Sequence, residues 1–158
     1  PLRPQAQVLG VARAELLDPM AEALQRLGLQ RAVVVHGAGG LNEASLAGKN
    51  ALRLLDNGKL RESLLDPEQL GLISAPVEDL KGGDLAFNQR ILSAVLQGQG
   101  TRAQRDVVAL NTALVLWAAG LEDDLGLGVA KAHQCLDQGL PWQRLEGLRR
   151  ALDHQIGE

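Results

Sequence analysis

The N-terminal part of the chain alternates short apolar runs with one amphipathic segment. Residues 7–11 and 31–36 are apolar runs that contain β-branched side chains, and they predict two strands. Between them, apolar residues recur at helical spacing over residues 15–27, and Gly28 follows as the expected C-cap of that helix. Strand, helix and strand with short connections predict a right-handed βαβ unit with parallel strands.

A β-hairpin is predicted after this unit. The Asn57-Gly58 pair lies between residues 51–55 and residues 60–65, and such a pair between two strand-like runs is a strong signal for a two-residue turn. Residues 66–70 predict a turn or a short helical start. Leu72 and Ile73 predict a further short strand.

Helices are predicted for the remainder of the chain, where glycine and proline separate segments of helical periodicity. The expected bounds are residues 85–96, 102–119, 124–138 and 142–155. Asp84 is the expected N-cap of the first, and the second is apolar on most sides and is expected to be a buried core helix. These elements predict an α/β fold with a central, mainly parallel sheet, a β-hairpin insertion and a C-terminal set of packed helices.

Composition narrows the class of function. The formal net charge of the 158 residues is −3, and they include no Tyr, one Phe and two Trp. Neither a basic footprint nor a set of aromatic stacking platforms for nucleic acid is therefore present. No apolar run approaches the length of about 18 residues that a membrane span needs. Cys135 is the single cysteine, which fits a reducing cytoplasm, and we expect it to be buried in its helix.

The clearest candidate for a binding site is the segment that leads from the second predicted strand into residues 37–45. Three of residues 37–40 are glycine, and in open α/β sheets ligands bind on loops at the carboxyl ends of strands. Glu43 offers a carboxylate of the kind that Mg²⁺ takes together with substrate phosphates. The loop matches neither generic phosphate motif, because Asn42 stands where the third glycine of G-x-G-x-x-G belongs and Asn50 where a P-loop has Ser or Thr. The local pattern alone leaves a structural glycine turn equally open.

Four segments carry family-level information when they are taken in order. They are residues 1–11 together with Leu-Asp-Pro-Met-Ala at 17–21 and Leu-Gly at 27–28, His36-Gly37 with Gly-Leu-Asn-Glu-Ala-Ser at 40–45, Asp-Leu-Lys-Gly-Gly-Asp at 79–84, and Arg105-Asp106 with Asn111. This series resembles the C-terminal half of the anthranilate phosphoribosyltransferase family. The resemblance extends along essentially the whole chain.

The resemblance implies an enzyme that joins anthranilate to the ribose of phosphoribosyl pyrophosphate and releases pyrophosphate, in tryptophan biosynthesis. It implies Mg²⁺ as cofactor, held against the diphosphate by two acids that fall here on Asn42 and Glu43. The family has Asp at the first of these positions, and an amide brings no charge, so the affinity for Mg²⁺ should be lower here. His36 and Lys81 are candidates for contact with substrate, although a structural histidine and a solvated lysine are the commoner cases. No nucleophilic side chain is expected to take part.

The resemblance also implies that residues 1–158 form one partial domain of a larger protein. The family's Gly-Thr-Gly-Gly-Asp loop, its Lys-x-Gly-Asn-Arg motif and its N-terminal helical domain have no counterpart in the sequence. We therefore expect this portion to be inactive alone, and the parent to be a cytoplasmic homodimer formed through the helical domain. Two alternatives stay open: an enzyme like the pyrimidine nucleoside phosphorylases, and a non-catalytic paralogue that binds nucleic acid. The Glu43 segment argues against the first, and charge and aromatic content argue against the second.

Overall fold

The computed structural model describes residues 4–156, and the side chains of residues 4–153. The first three residues of the family-like N-terminal segment lie outside the described part. The strands are β1 (Ala6–Gly10), β2 (Arg31–His36), β3 (Asn50–Asp56) and β4 (Lys59–Leu65). The helices are α1 (Leu17–Arg26), α2 (Leu85–Leu96), α3 (Arg102–Ala118), α4 (Leu125–Asp137) and α5 (Leu140–Ile156). Short 3-10 helices cover Ala14–Leu16, Pro67–Leu70 and Val77–Leu80.

The sheet has the strand order β1-β2-β3-β4 in the described part of the chain. The β1–α1–β2 unit is parallel as predicted, with Val8 opposite Val33. The hairpin is also confirmed: Asn57 and Gly58 have φ angles of 50° and 74°, the left-handed values that a type I′ turn requires. The expectation of a mainly parallel sheet is wrong for these strands, because β2–β3 and β3–β4 are antiparallel. The reason is that residues 37–49 return the chain beside β2 as a loop, whereas a parallel neighbour needs a long crossover.

β2 is buried on both faces of the sheet, which explains its unbroken apolar run. Val33 and Val35 face the larger core, where α3 and α4 pack, and Val34 faces the smaller core formed with α1. Strand side chains alternate between faces, so a strand covered on both sides needs apolar residues at every position. The layers are therefore α1, the sheet, and the α3–α4 pair.

The C-terminal helices begin and end close to the predicted residues. Asp84 caps α2 as expected, since its Oδ1 accepts a hydrogen bond of 2.7 Å from the backbone N–H of Phe87. The expectation of a core helix holds for only one face of α3, because Val108 and Val115 are 37% and 53% exposed. No helix in the described part of the chain is both long and apolar enough to cross a membrane.

Two local expectations are wrong. Leu72 and Ile73 form no strand: the backbone N–H of Leu72 donates to the carbonyl oxygen of Pro67 (3.1 Å), which closes the 3-10 turn, and Leu72 then packs into the larger core. Cys135 is exposed rather than buried. It lies on α4 beside Leu136, whose side chain occupies the buried face, so the helix turns the thiol outward.

Candidate functional site

The loop of residues 37–49 lies directly on the carboxyl ends of the two parallel strands. A Cβ atom on Gly10, the last residue of β1, would stand 1.5 Å from the carbonyl oxygen of Asn42. A Cβ atom on Gly37, which follows β2, would stand 2.0 Å from the carbonyl oxygen of Glu43. Only glycine fits at either position, so the backbone of Asn42 and Glu43 rests on the strand ends. This edge is where open α/β sheets bind their ligands.

A tight glycine turn precedes this contact. The φ angles of Gly39 and Gly40 are 82° and 80°, in the left-handed region, and the N–H of Gly40 donates to the carbonyl oxygen of Gly37 (3.1 Å). A Cβ atom on Gly39 would lie 3.1 Å from Cγ2 of Val77, the first residue of a 3-10 helix. That helix leads into residues 81–84, so two of the family-like segments are neighbours in space.

Asn50 fixes the loop from within. Its side chain is fully buried at the start of β3, and its Oδ1 accepts hydrogen bonds from the N–H groups of Ser45 (2.7 Å) and Ala38 (3.2 Å). Its Nδ2, which carries two N–H donors, has three acceptors within 3.0–3.3 Å, the carbonyl oxygens of Ser45, Gly48 and Leu65. One side chain therefore satisfies backbone groups of this loop that no secondary structure satisfies.

Asn111 holds the same loop from the outside. It lies on α3, its Oδ1 accepts from the N–H of Ala44 (2.9 Å), and its Nδ2 donates to the carbonyl oxygen of Ala44 (2.8 Å) and to that of Val107 (3.0 Å). Sequence reasoning gave Asn50 and Asn111 no role. The available signal was that Asn111 interrupts the largely apolar residues 107–117, and that Asn50 directly precedes the predicted strand of residues 51–55.

Asn42 and Glu43 are both exposed, whereas Leu41 before them is half-buried and Ala44 after them is buried. Glu43 borders a groove of about 320 Å³ whose other wall is α3. None of the ion pairs among the described residues involves Glu43. The backbone of Glu43 is thus held on the strand ends, while its exposed carboxylate is accessible to a cation.

The donor set fits Mg²⁺ of the kind that is shared with a substrate. Mg²⁺ is commonly held by one or two carboxylates together with water and substrate phosphates rather than by a complete protein cage. Glu43 provides one carboxylate and Asn42 an adjacent amide oxygen. In the described part of the chain, no group of three or more His, Cys, Asp or Glu side chains could hold a metal ion by itself.

His36 and Lys81 occupy different surroundings. His36 is half-buried, and its Nδ1 lies 2.9 Å from the carbonyl oxygen of Val11, so the ring ties the ends of β1 and β2 together. Lys81 is exposed directly after the 3-10 helix that meets Gly39. The described contacts do not join Lys81 to Asn42 or Glu43, and a substrate contact for either His36 or Lys81 stays a prediction.

The Arg105-Asp106 pair belongs to the helix packing and not to the loop. Arg105 forms an ion pair with Asp137 at the end of α4. The buried Asp106 carboxylate lies 3.0 Å from Nε2 of His133 on α4 and 3.5 Å from Nε of Arg102. Of this family-like segment, Asn111 is the residue that reaches the loop.

Shifted pKa values occur at structural ion pairs. A hydrogen bond from Arg53 on β3 lowers the pKa of the Asp18 carboxyl on α1. A hydrogen bond from Lys131 on α4 likewise lowers the pKa of Glu122, which lies in the segment before that helix. These pairs lie outside the loop of residues 37–49.

The family model described as "Glycosyl transferase family, a/b domain" matches residues 1–141. The chain belongs to this family. It is 76% identical over 158 residues to the anthranilate phosphoribosyltransferase of Prochlorococcus marinus (strain MIT 9313), covering 100% of this chain and 45% of that protein. It is 68% identical over 152 residues to the anthranilate phosphoribosyltransferase of Parasynechococcus marenigrum (strain WH8102), covering 96% of this chain and 43% of that protein. The chain therefore spans less than half the length of these curated relatives.

Solved structures of the family have the same fold. The crystal structure of anthranilate phosphoribosyltransferase from Thermus thermophilus matches with a TM-score of 0.80 and 42% identity, over 89% of this chain and 41% of that one. The enzyme from Saccharomyces cerevisiae in complex with PRPP and Mg matches with a TM-score of 0.79 and 26% identity, over the same shares of the two chains. These similarities confirm the α/β class and the family resemblance that the sequence motifs indicated.

Proposed function

We propose that this chain is the C-terminal part of the α/β domain of an anthranilate phosphoribosyltransferase. The intact protein would transfer phosphoribose from phosphoribosyl pyrophosphate to anthranilate, with release of pyrophosphate, in tryptophan biosynthesis. The names of the relatives support this activity, as do the yeast relative's structures with PRPP and Mg and with 4-fluoroanthranilate. The homodimer and the cytoplasmic location that the resemblance implies stay predictions.

The observation that carries the proposal is the exposed Glu43 carboxylate on a loop whose backbone is fixed at the carboxyl ends of β1 and β2. Glu43, with the amide oxygen of Asn42 beside it, would hold Mg²⁺. When bound, the ion neutralises the diphosphate and acts as a Lewis acid toward the leaving group. A fixed backbone matters because a pre-positioned ligand loses little conformational freedom when the ion binds.

The chain's own residues would mainly position the substrate. The Gly39–Gly40 turn presents backbone without side chains, so a phosphate can approach it closely. Lys81, on the neighbouring segment, supplies a positive charge for such a phosphate. Displacement at the anomeric carbon of ribose needs no enzyme nucleophile, because orientation and stabilisation of the departing charge supply the rate enhancement.

The test is the consumption of anthranilate, followed by its fluorescence, in the full-length protein that carries these residues. We expect consumption that requires both phosphoribosyl pyrophosphate and Mg²⁺. Glu43→Gln keeps the shape of the side chain and removes its charge, and we expect the Mg²⁺ concentration for half-maximal activity to rise at least about 10-fold. Glu68→Gln, an exposed acid on the Pro67–Leu70 helix, is the matched control and should behave as the parent. An inactive parent would contradict the activity, and an unchanged Mg²⁺ dependence in Glu43→Gln would contradict the metal role.

A further inference from the structure

The contact between Asn111 and Ala44 connects parts of the chain that are far apart in sequence. The side-chain amide pairs with both polar groups of one residue: Oδ1 accepts from the Ala44 N–H at 2.9 Å, and Nδ2 donates to its carbonyl oxygen at 2.8 Å. A third hydrogen bond, from Nδ2 to Val107 within α3, fixes the rotamer of the amide itself (3.0 Å). The partner is Ala44, the residue that directly follows Glu43.

The placement of this contact leaves the peptide around Glu43 little freedom. Below it, the carbonyl oxygen of Glu43 occupies the space that a side chain at Gly37 would need. Behind it, Ser45 is held by the buried Asn50. Asn111 closes the remaining side, where α3 and Glu43 face the same groove. The side chain of Glu43 is exposed while its backbone is restrained on three sides.

We propose that Asn111 is a positioning residue that orients Glu43 toward the divalent cation. This inference rests on the proposed metal role of Glu43. Hydrogen-bonding partners behind a metal ligand set its orientation, and their loss commonly lowers metal affinity about 10- to 100-fold. Asn111 acts through the peptide and makes no contact with the ion in this scheme. Loss of Asn111 is therefore expected to change the Mg²⁺ concentration that the reaction needs.

The experiment compares single variants of the full-length protein at saturating substrates while Mg²⁺ is varied. Asn111→Ala removes the contact and places the best helix former on α3, so the helix itself is retained. We expect the Mg²⁺ concentration for half-maximal activity to rise at least about 10-fold, with most of kcat recovered at high Mg²⁺. Asn111→Gln keeps the amide but displaces it by one methylene, and it should raise this concentration by a smaller factor. Gln134→Ala removes an exposed amide from α4, away from the Glu43 groove; it is the matched control and should leave this concentration unchanged.

The double variant Glu43→Gln with Asn111→Ala separates the two proposals. If Asn111 acts through Glu43, the double variant has the same Mg²⁺ dependence as Glu43→Gln alone. The inference is overturned if Glu43→Gln changes the Mg²⁺ dependence while the Asn111 variants change only kcat or the unfolding midpoint. If Glu43→Gln itself leaves the Mg²⁺ dependence unchanged, the metal role of Glu43 fails and the positioning role fails with it.

Discussion

Replacement of Gly10 by alanine is expected to displace the loop that carries Glu43. The new Cβ atom would stand 1.5 Å from the carbonyl oxygen of Asn42, whereas Cβ atoms in real structures essentially never approach another heavy atom closer than 3.0 Å. The φ angle of Gly10 is not in the left-handed region, so the backbone itself accepts alanine. The whole cost is therefore steric, and either the loop or the end of β1 must move by about 1.5 Å.

The size of the effect follows from how firmly the loop is held. Added volume in a well-packed region typically costs about 1–3 kcal/mol, and less where the neighbour can yield. Here the neighbour is backbone, and the hydrogen bonds of Asn50 and Asn111 resist its movement. We therefore expect the free energy of unfolding to fall by about 3 kcal/mol, at the upper end of that range.

The assay is urea denaturation of the full-length protein, together with the Mg²⁺ dependence of its activity. Gly147→Ala on α5 is the control, because nothing lies within 4 Å of the Cβ atom it adds. That variant should be stabilised by up to about 1 kcal/mol through helix propensity. A loss below about 1 kcal/mol for Gly10→Ala, with parent Mg²⁺ dependence, would refute the packing of the loop on the strand ends.

Asn50→Ala is expected to lower the free energy of unfolding by about 3–5 kcal/mol in urea denaturation, since each buried backbone group left without a partner costs about 1–3 kcal/mol; a loss under about 1 kcal/mol would refute its role in the loop. Asn42→Asp is expected to lower the Mg²⁺ concentration for half-maximal activity at least about fivefold, because one added charge about 4 Å from the ion contributes about 1 kcal/mol or more even in water; an unchanged value would place Asn42 away from the ion. Arg53→Met is expected to return the pKa of Asp18 upward toward its usual value near 3.8, as measured by NMR titration of the carboxyl carbon. Because the folded-state pKa of Asp18 is lowered, its stabilising contribution is present above that usual value and is lost as the pH falls through the folded-state pKa. Arg53→Met should therefore weaken the part of the acid dependence of stability that Asp18 contributes. An unmoved pKa of Asp18 would contradict the assigned cause.

The parts of the fold that could be predicted from sequence are those with local causes. The hairpin follows from two adjacent residues, Asn57 and Gly58, that adopt left-handed φ angles. The N-terminus of α2 follows from Asp84, whose side chain caps a group three residues away. Because both causes lie within a few residues of their effects, pattern and turn chemistry were sufficient.

The parts that could not be predicted depend on contacts distant in sequence. Asn111 and Ala44 are separated by 67 positions, and a single sequence gives no sign that an amide on α3 meets the loop after β2. The direction of β3 beside β2 could not be predicted because the connection over residues 37–49 is far longer than the two- to five-residue loops that mark a hairpin. The exposure of Cys135 depends on which face of α4 packs against α3, and helical spacing alone does not decide that.

The most direct measurement is anomalous X-ray scattering from Mn²⁺, used in place of Mg²⁺, in crystals of the full-length protein with phosphoribosyl pyrophosphate. We expect a peak within coordinating distance of a carboxylate oxygen of Glu43, at the carboxyl ends of β1 and β2. A peak elsewhere, with the Glu43 carboxylate bound to no metal, would contradict the proposed metal site.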